Sequence, residues 1–278
     1  MNLLSPEKLL ILAKTYPTLS TKYGETVCTA AIRENGSWVR LYPVPFRRLG
    51  EQQQYKKFDW LECRIEKNTN DRRPESFRPV CNTELAAKAH LGTADEWAER
   101  RRLVLHQSKV YDCLEDLIIG AKNNTMSLAT FRPTQILDFV CEKEDAREWD
   151  SVKLMAMRKQ VEQLSLIEDN SWRETFRVIQ KLPYKFSYKF TDATGRESKL
   201  QILDWEIGAL YWNCLRGDRD RDETKAIAKV RQKYFGEFLK YDLHFFLGTT
   251  LQFHSIAPNP WLVIGVFPIP HQSQLQLL

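Results

Sequence analysis

Over the first 80 residues the apolar positions come in short runs separated by turn residues, the pattern of small strands rather than helices. Residues 9–16 and 26–33 read as strands. Asn35-Gly36 then stands between Thr26–Arg33 and Trp38–Tyr42, the strongest short hairpin signal in the chain. Pro43 and Pro45 end the second arm. Residues 58–67, FDWLECRIEK, alternate well enough for another strand. From Thr93 the period changes. TADEWAERRRLVLHQ predicts a helix with Thr93 as its N-cap and an acidic first turn. A second helix follows over about 112–121 and a strand over 134–141. An amphipathic helix is expected over 145–165.

The last hundred residues repeat the mixture. LPYKFSYKFTD, then Ala-Thr-Gly-Arg, then ESKLQILDW predicts a second hairpin. Tyr184, Phe186, Tyr188 and Phe190 fall on one face, Lys185 and Lys189 on the other. Two helices, 204–216 and 222–240, flank RGDRDRD. Two apolar strands close the chain, in DLHFFLGTTLQF and PWLVIGVFPIP. The reading is a β-rich α+β protein of two lobes. Residues 1–142 form the first, with a helical insertion at about 93–121. Residues 143–180 are a helical connector, and 181–278 form the second lobe. FDW (58–60) echoes LDW (203–205), and SWVRLYPVP echoes PWLVIGVFPIP, but in reversed order. A tandem repeat is thereby excluded, while two similar small β-barrels are compatible with the echoes.

Charge adds a partner class. The chain carries +5, distributed as +4 over 1–140, −2 over 141–180 and +3 over 181–278. Two mildly basic lobes suit an anionic partner with a small footprint. The 11 glycines form neither GxxxxGK[ST] nor GxGxxG, so no phosphate loop is expected. The six cysteines include no CxxC pair and read as reduced thiols. The apolar run at Leu9–Ala13 is too short for a signal sequence, and no stretch has the length of a membrane span. A cytoplasmic protein without cofactor or metal is expected.

The pattern K-T-Y-P-x-x-S-x-K-Y-x-E-T-V-C from Lys14 to Cys28, followed by W-V-R-L-Y-P-x-P-F-R from Trp38 to Arg47, resembles uncharacterised prokaryotic proteins described as containing a dual OB domain. DWE at 204–206 and the closing strands add to the resemblance. It extends over most of the chain and implies two OB-like β-barrel lobes with helical insertions. OB-folds commonly hold oligonucleotides across an open barrel face. The resemblance also implies a place in a prokaryotic defence or RNA-processing assembly, and it carries no catalytic residue to this chain.

The candidate binding residues lie in the same segments. Lys14, Tyr16, Lys22 and Tyr23 pair cations with rings, and Arg40, Tyr42, Arg47 and Arg48 do so on the next hairpin arm. Single strands need that combination, cations for the phosphate track and flat rings for the bases. Ser20 and Thr21 add hydroxyls suited to phosphate oxygens. In the competing reading, Tyr16 and Tyr42 are half-buried barrel aromatics, Arg40 is a surface residue and Ser20-Thr21 is a turn. Lys225, Lys229 and Lys233 share one helical face, as a phosphate-tracking stripe or a solvated surface. Arg72-Arg73 and Arg100-Arg101-Arg102 are further basic clusters. Asp59, Glu62 and Arg64 do not have nuclease spacing. His90, His106, His244, His254 and His271 lack HxxxH or HxH spacing, and Asp204 is as well placed for a helix cap as for a metal. The leading expectation is a non-catalytic module for single-stranded DNA or RNA. A protein–protein adaptor is the first alternative. The second is a nucleotide-sensing or hydrolytic domain with a pocket between lobes lined by Asp204, Glu206 and His244.

Overall fold

The computed structural model describes residues 5–20, 24–49, 53–80, 85–164 and 178–272. Its first sheet is built from β1 (Glu7–Lys14), β2 (Thr18–Ser20), β3 (Gly24–Ile32), β4 (Trp38–Val44), β5 (Asp59–Cys63), β6 (Ile65–Lys67), β7 (Ser76–Pro79) and β8 (Ala86–His90). The order is β6-β7-β4-β3-β1-β5-β8, with β2 attached to β3. In β1, every residue from Leu9 to Ala13 is buried. A strand apolar on both faces belongs where both faces are covered. Leu9 and Ile11 pack inside the first domain with Val27, Val39, Leu41 and Tyr55. Leu10 and Leu12 turn the other way and pack with Phe246, Ile264 and Phe267 of the second domain.

The second sheet comprises β9 (Val110–Tyr111), β10 (Leu128–Phe131), β11 (Gln135–Lys143), β12 (Tyr184–Thr191), β13 (Glu197–Ile202), β14 (Asp242–Thr249) and β15 (Trp261–Ile269), in the order β11-β12-β13-β15-β14-β10-β9. Register shifts interrupt β1–β3, β3–β4 and β5–β8 in one sheet and β11–β12 and β14–β15 in the other. Such bulges increase local twist, and each sheet curls into a half-barrel. The two β-rich domains meet where β1 passes β15. A Cβ at Gly265 would stand 2.9 Å from the Cβ of Ala13, so only glycine permits this approach.

The helices are few: α1 (Ala94–Arg101), prolonged by wider π turns to Gln107, α2 (Leu114–Lys122), α3 (Ser151–Leu164), α4 (Trp205–Arg216), and α5 (Glu223–Arg231), prolonged to Glu237. α2, α4 and α5 cover the second sheet over a core rich in rings, among them Phe139, Phe186, Tyr188, Tyr211 and Phe245. The hairpins at Asn35-Gly36 and at 193–196 form as their turn residues predict.

Two local expectations differ from the structure. Thr93 makes no side-chain cap, and Asp95, Glu96 and Trp97 take left-handed backbone angles. Trp97 packs instead on Phe267, 6.0 Å between ring centres, and on Arg100; tertiary packing outweighs the cap. The sequence pattern extends the first lobe to residue 142, yet β9, β10 and β11 pair within the second sheet. The sheets therefore divide between His90 and Val110. A strand's own pattern says that it pairs, but not with what.

Candidate functional site

A cavity of about 470 Å³ opens between the two domains. From the first domain it is lined by Tyr16, Cys28, Arg40 and Tyr42, with Asn68, Asn70, Asp71 and Arg73 from the β6–β7 turn. The second domain contributes Trp149, Tyr184, Phe186, Asp204 and the segment Gly248–Leu251.

Tyr16 reaches the second domain through its backbone and its ring. Its N–H donates to Leu203 O at 2.7 Å, beside the Thr15–Asp204 bridge. Its hydroxyl donates to Gln180 O at 2.8 Å and accepts from Trp212 Nε1 at 2.8 Å. Burial raises the phenol to about 12, so it keeps its proton. The ring crosses α4 at Gly208, where a Cβ would run into it.

Arg40 is only 2% exposed. It donates through Nη1 to Cys28 Sγ at 3.2 Å and through Nη2 to Ser127 O at 2.7 Å and Ser127 Oγ at 3.1 Å. Glu75 accepts from the Ser127 hydroxyl at 2.6 Å, so a carboxylate balances the guanidinium through one intervening group. Arg40 Nε has no partner among the described residues. Arg73 pairs with Asp71 at 2.6 Å and also donates to Thr249 O. These two arginines of the first domain thus tie directly to main-chain carbonyls of the second. They form the floor of the cavity.

Asp204 caps α4, accepting from Glu206 N at 3.1 Å. Its Oδ2 has no partner among the described residues. Burial, and then the charge of Glu206, raises its carboxyl to about 7. Glu206 itself lies half exposed beside Lys57, 3.5 Å away, and does not line the cavity. Nor does His244, which is buried against Phe267. The sequence-level trio of Asp204, Glu206 and His244 therefore contributes one member to the pocket. His244 and His254 stand at opposite ends of the β14 region: His244 Nδ1 faces Asp242 O, while His254 bonds Thr249 and Asn124. Among the described residues no three His, Cys, Asp or Glu side chains are grouped to hold a metal.

The remaining sequence candidates lie elsewhere. Lys14 is enclosed by Phe46, Tyr55 and Trp205, 3.8 Å from the Phe46 ring centre, and donates to Tyr55 O at 2.7 Å. Burial lowers its ammonium to about 8. Ser20 ends β2, opposite Gly24. Arg47 meets both oxygens of Glu25, at 2.9 and 2.8 Å. Thr21, Lys22 and Tyr23 lie outside the described residues. Lys225 faces Asp218 and Asp220, Lys233 faces Glu237, and Lys229 is exposed. Ala226, Val230 and Tyr234, one position on, turn inward. The cavity thus unites Tyr16, Arg40 and Tyr42 and leaves the lysine stripe on another surface. Trp149, Asn68, Asn70 and Thr249 were missed by sequence reasoning, because each has neighbours in space that are distant along the chain.

Residues 110–278 match the model of a domain of unknown function (DUF8757), and the chain belongs to that family. Residues 5–106 match a second domain of unknown function (DUF8758). The two matches meet where the sheets divide. Among curated proteins none matches the sequence. Over 97% of this chain and 98% of the other, the structure is similar to that of a murine DNA-binding protein bound with double-stranded DNA, at 9% identity and a TM-score of 0.32. No described helix is long and apolar enough to cross a membrane.

Proposed function

We propose that the chain is a non-catalytic module that binds single-stranded nucleic acid, taking a nucleotide of the strand into the cavity between its domains. The observation that carries this reading is the convergence of Tyr16, Tyr42 and Arg40 on one cavity, joined there by Trp149 and Tyr184. Rings suit stacking, worth about 1–3 kcal/mol per base. Asn68, Asn70 and Thr250 in the lining suit acceptor oxygens. The curled sheets suit an OB-like assignment for each domain. The resemblance in Lys14–Cys28 and Trp38–Arg47 adds the context of a prokaryotic defence or RNA-processing assembly.

The test is fluorescence anisotropy with labelled single-stranded DNA, single-stranded RNA and duplex, at about 50 and 200 mM salt. Thr18→Trp, at an exposed position of the cavity rim, runs beside the wild type. Salt-sensitive binding to a single strand that Thr18→Trp abolishes is expected. No binding to any of the three at low salt would overturn the reading. One observation favours a second reading, a sensor of free nucleotides: the volume is that of a small-ligand site, which commonly spans roughly 300–1,000 Å³. Thermal stabilisation by mononucleotides, without strand binding, would select it.

A further inference from the structure

Beside the cavity a short loop presents an apolar surface. Between β14 and β15, Leu251 is 42% exposed, Phe253 49% and Ile256 75%. Three large apolar side chains standing out within six residues need a reason. Looseness does not supply it, because the loop is pinned. Its centre, His254, is fully buried, with Nδ1 bonded to Thr249 Oγ1 at 2.9 Å and Nε2 to Asn124 Oδ1 at 2.9 Å. Ser255 Oγ donates to Ala121 O at 3.4 Å, and the N–H groups of Phe253, Ile256 and Ala257 close successive turns onto Thr250 and Phe253. Holding His254 inward turns its neighbours outward.

Two cations flank the loop. Asn124, which holds His254, also donates through Nδ2 to Arg72 O at 3.1 Å. Arg72 is exposed between Asp71 and Arg73, both of which line the cavity, and its charge helps to keep His254 neutral. Lys122 follows Ala121 at the end of α2 and is also exposed. Neither Arg72 nor Lys122 has an acidic or hydrogen-bonding side-chain partner among the described residues, whereas Arg73 next door is fully paired. Thr250 and Leu251 line the cavity, so the surface is continuous with its mouth.

We infer that this lip is a second contact surface for a single-stranded nucleic acid, on which the strand leaving the cavity stacks a base on Phe253 and sets phosphates against Arg72 and Lys122. The inference rests on the nucleic-acid reading above and extends it from one nucleotide to several. Charge complementarity selects this occupant: two exposed cations without an acidic partner among the described residues, on segments hydrogen-bonded to the loop that carries an exposed ring, are the elements of a single-strand track. An apolar protein partner would leave both cations unanswered.

The experiment compares the full chain with Phe253→Ala and with the double variant Arg72→Ala/Lys122→Ala, using single strands of about 4 and about 12 nucleotides. All three side chains are solvent-facing, and melting curves check that the variants fold. For the longer strand, Phe253→Ala is expected to weaken binding by roughly 5- to 150-fold. The double variant lowers the salt slope by about 1.4, the share of two phosphate contacts on a single strand. Binding of the short strand changes little in either variant. Wild-type binding to both lengths that neither variant alters would overturn the lip and leave the cavity reading standing. No wild-type binding to either strand would overturn both. Vesicles of an anionic phospholipid are the control: binding to them that Phe253→Ala abolishes, without strand binding, would assign the lip to a membrane surface instead.

Discussion

Arg40 lines the floor of the cavity and Arg72 stands on the lip beside it, and the two face opposite physical situations. Arg40 is enclosed, with its two terminal nitrogens committed to Cys28 and Ser127. Arg72 is open to solvent, and among the described residues only its carbonyl is engaged. A buried guanidinium in such a network holds two domains in register; an exposed one is available to a ligand. Residue type is therefore a poor guide to role here, and burial with partner count is a better one. The same contrast separates Tyr16, held by hydrogen bonds on two sides, from Phe253, which offers its ring to solvent.

Substitutions can break or sharpen this contrast. The largest effect belongs to Arg40→Ala, which strands the polar groups of Ser127 and Glu75 at the junction. Losing one partner of a buried charged network costs about 3–5 kcal/mol. For a chain of this size that lowers Tm by roughly 6–20 °C. A melting curve within about 2 °C of wild type would show that the floor does not hold the domains together.

Tyr16→Phe comes next. It leaves Gln180 O and Trp212 Nε1 without their shared hydroxyl. Chemical denaturation should show a loss of about 1–3 kcal/mol, and an unchanged midpoint would mean that the ring alone fastens Tyr16.

The third effect is a pH dependence at His254. Burial, and then the charges of Arg73, Arg40 and Arg72, lower its folded pKa from 6.5 to about 4. Above pH 6.5 both folded and unfolded forms are neutral and its stability contribution is complete. As pH falls through 6.5 toward 4 the unfolded form takes up the proton first, and stability is lost. Between pH 7 and 5 this amounts to about 1 kcal/mol after screening. His254→Gln should lose correspondingly less stability over that interval than wild type. The raised carboxyl of Asp204 acts with the opposite sign, gaining stability as pH falls through 7, and it is common to both proteins. Equal pH slopes for the two would contradict the assignment.

The smallest stability effect is that of Arg72→Ala/Lys122→Ala, within about 0.5 kcal/mol of zero. A larger loss would mean that these cations serve the fold, and the contrast between floor and lip would collapse.

Much of the local structure was legible in the chain. Asn35-Gly36 marks a hairpin because its turn needs those residues, and the alternation of Tyr184 to Phe190 marks a strand with one core face. Asp204 was readable as a cap, and it is one. The basic-aromatic mixture drew attention to Tyr16, Arg40 and Tyr42, and the fold brings those three together. The same mixture also pointed to Lys14 and Arg47, which rings enclose and Glu25 pairs. Nothing within a few residues distinguishes these cases, since each depends on groups contributed from far along the sequence.

The sequence by itself determined the longer strands, the two hairpin turns, the approximate helix positions and the mildly basic character, because these follow from periodicities and residue preferences acting over a few positions. Only the tertiary structure decided that β9–β11 belong to the second sheet, that Arg40 is buried while Arg72 is not, and that a cavity opens between the domains. Those outcomes rest on pairing and packing between segments such as β4 and Ser127, 87 residues apart from Arg40 to Ser127. Such contacts are chosen by the fit of two whole surfaces, and neither surface exists until the chain has folded.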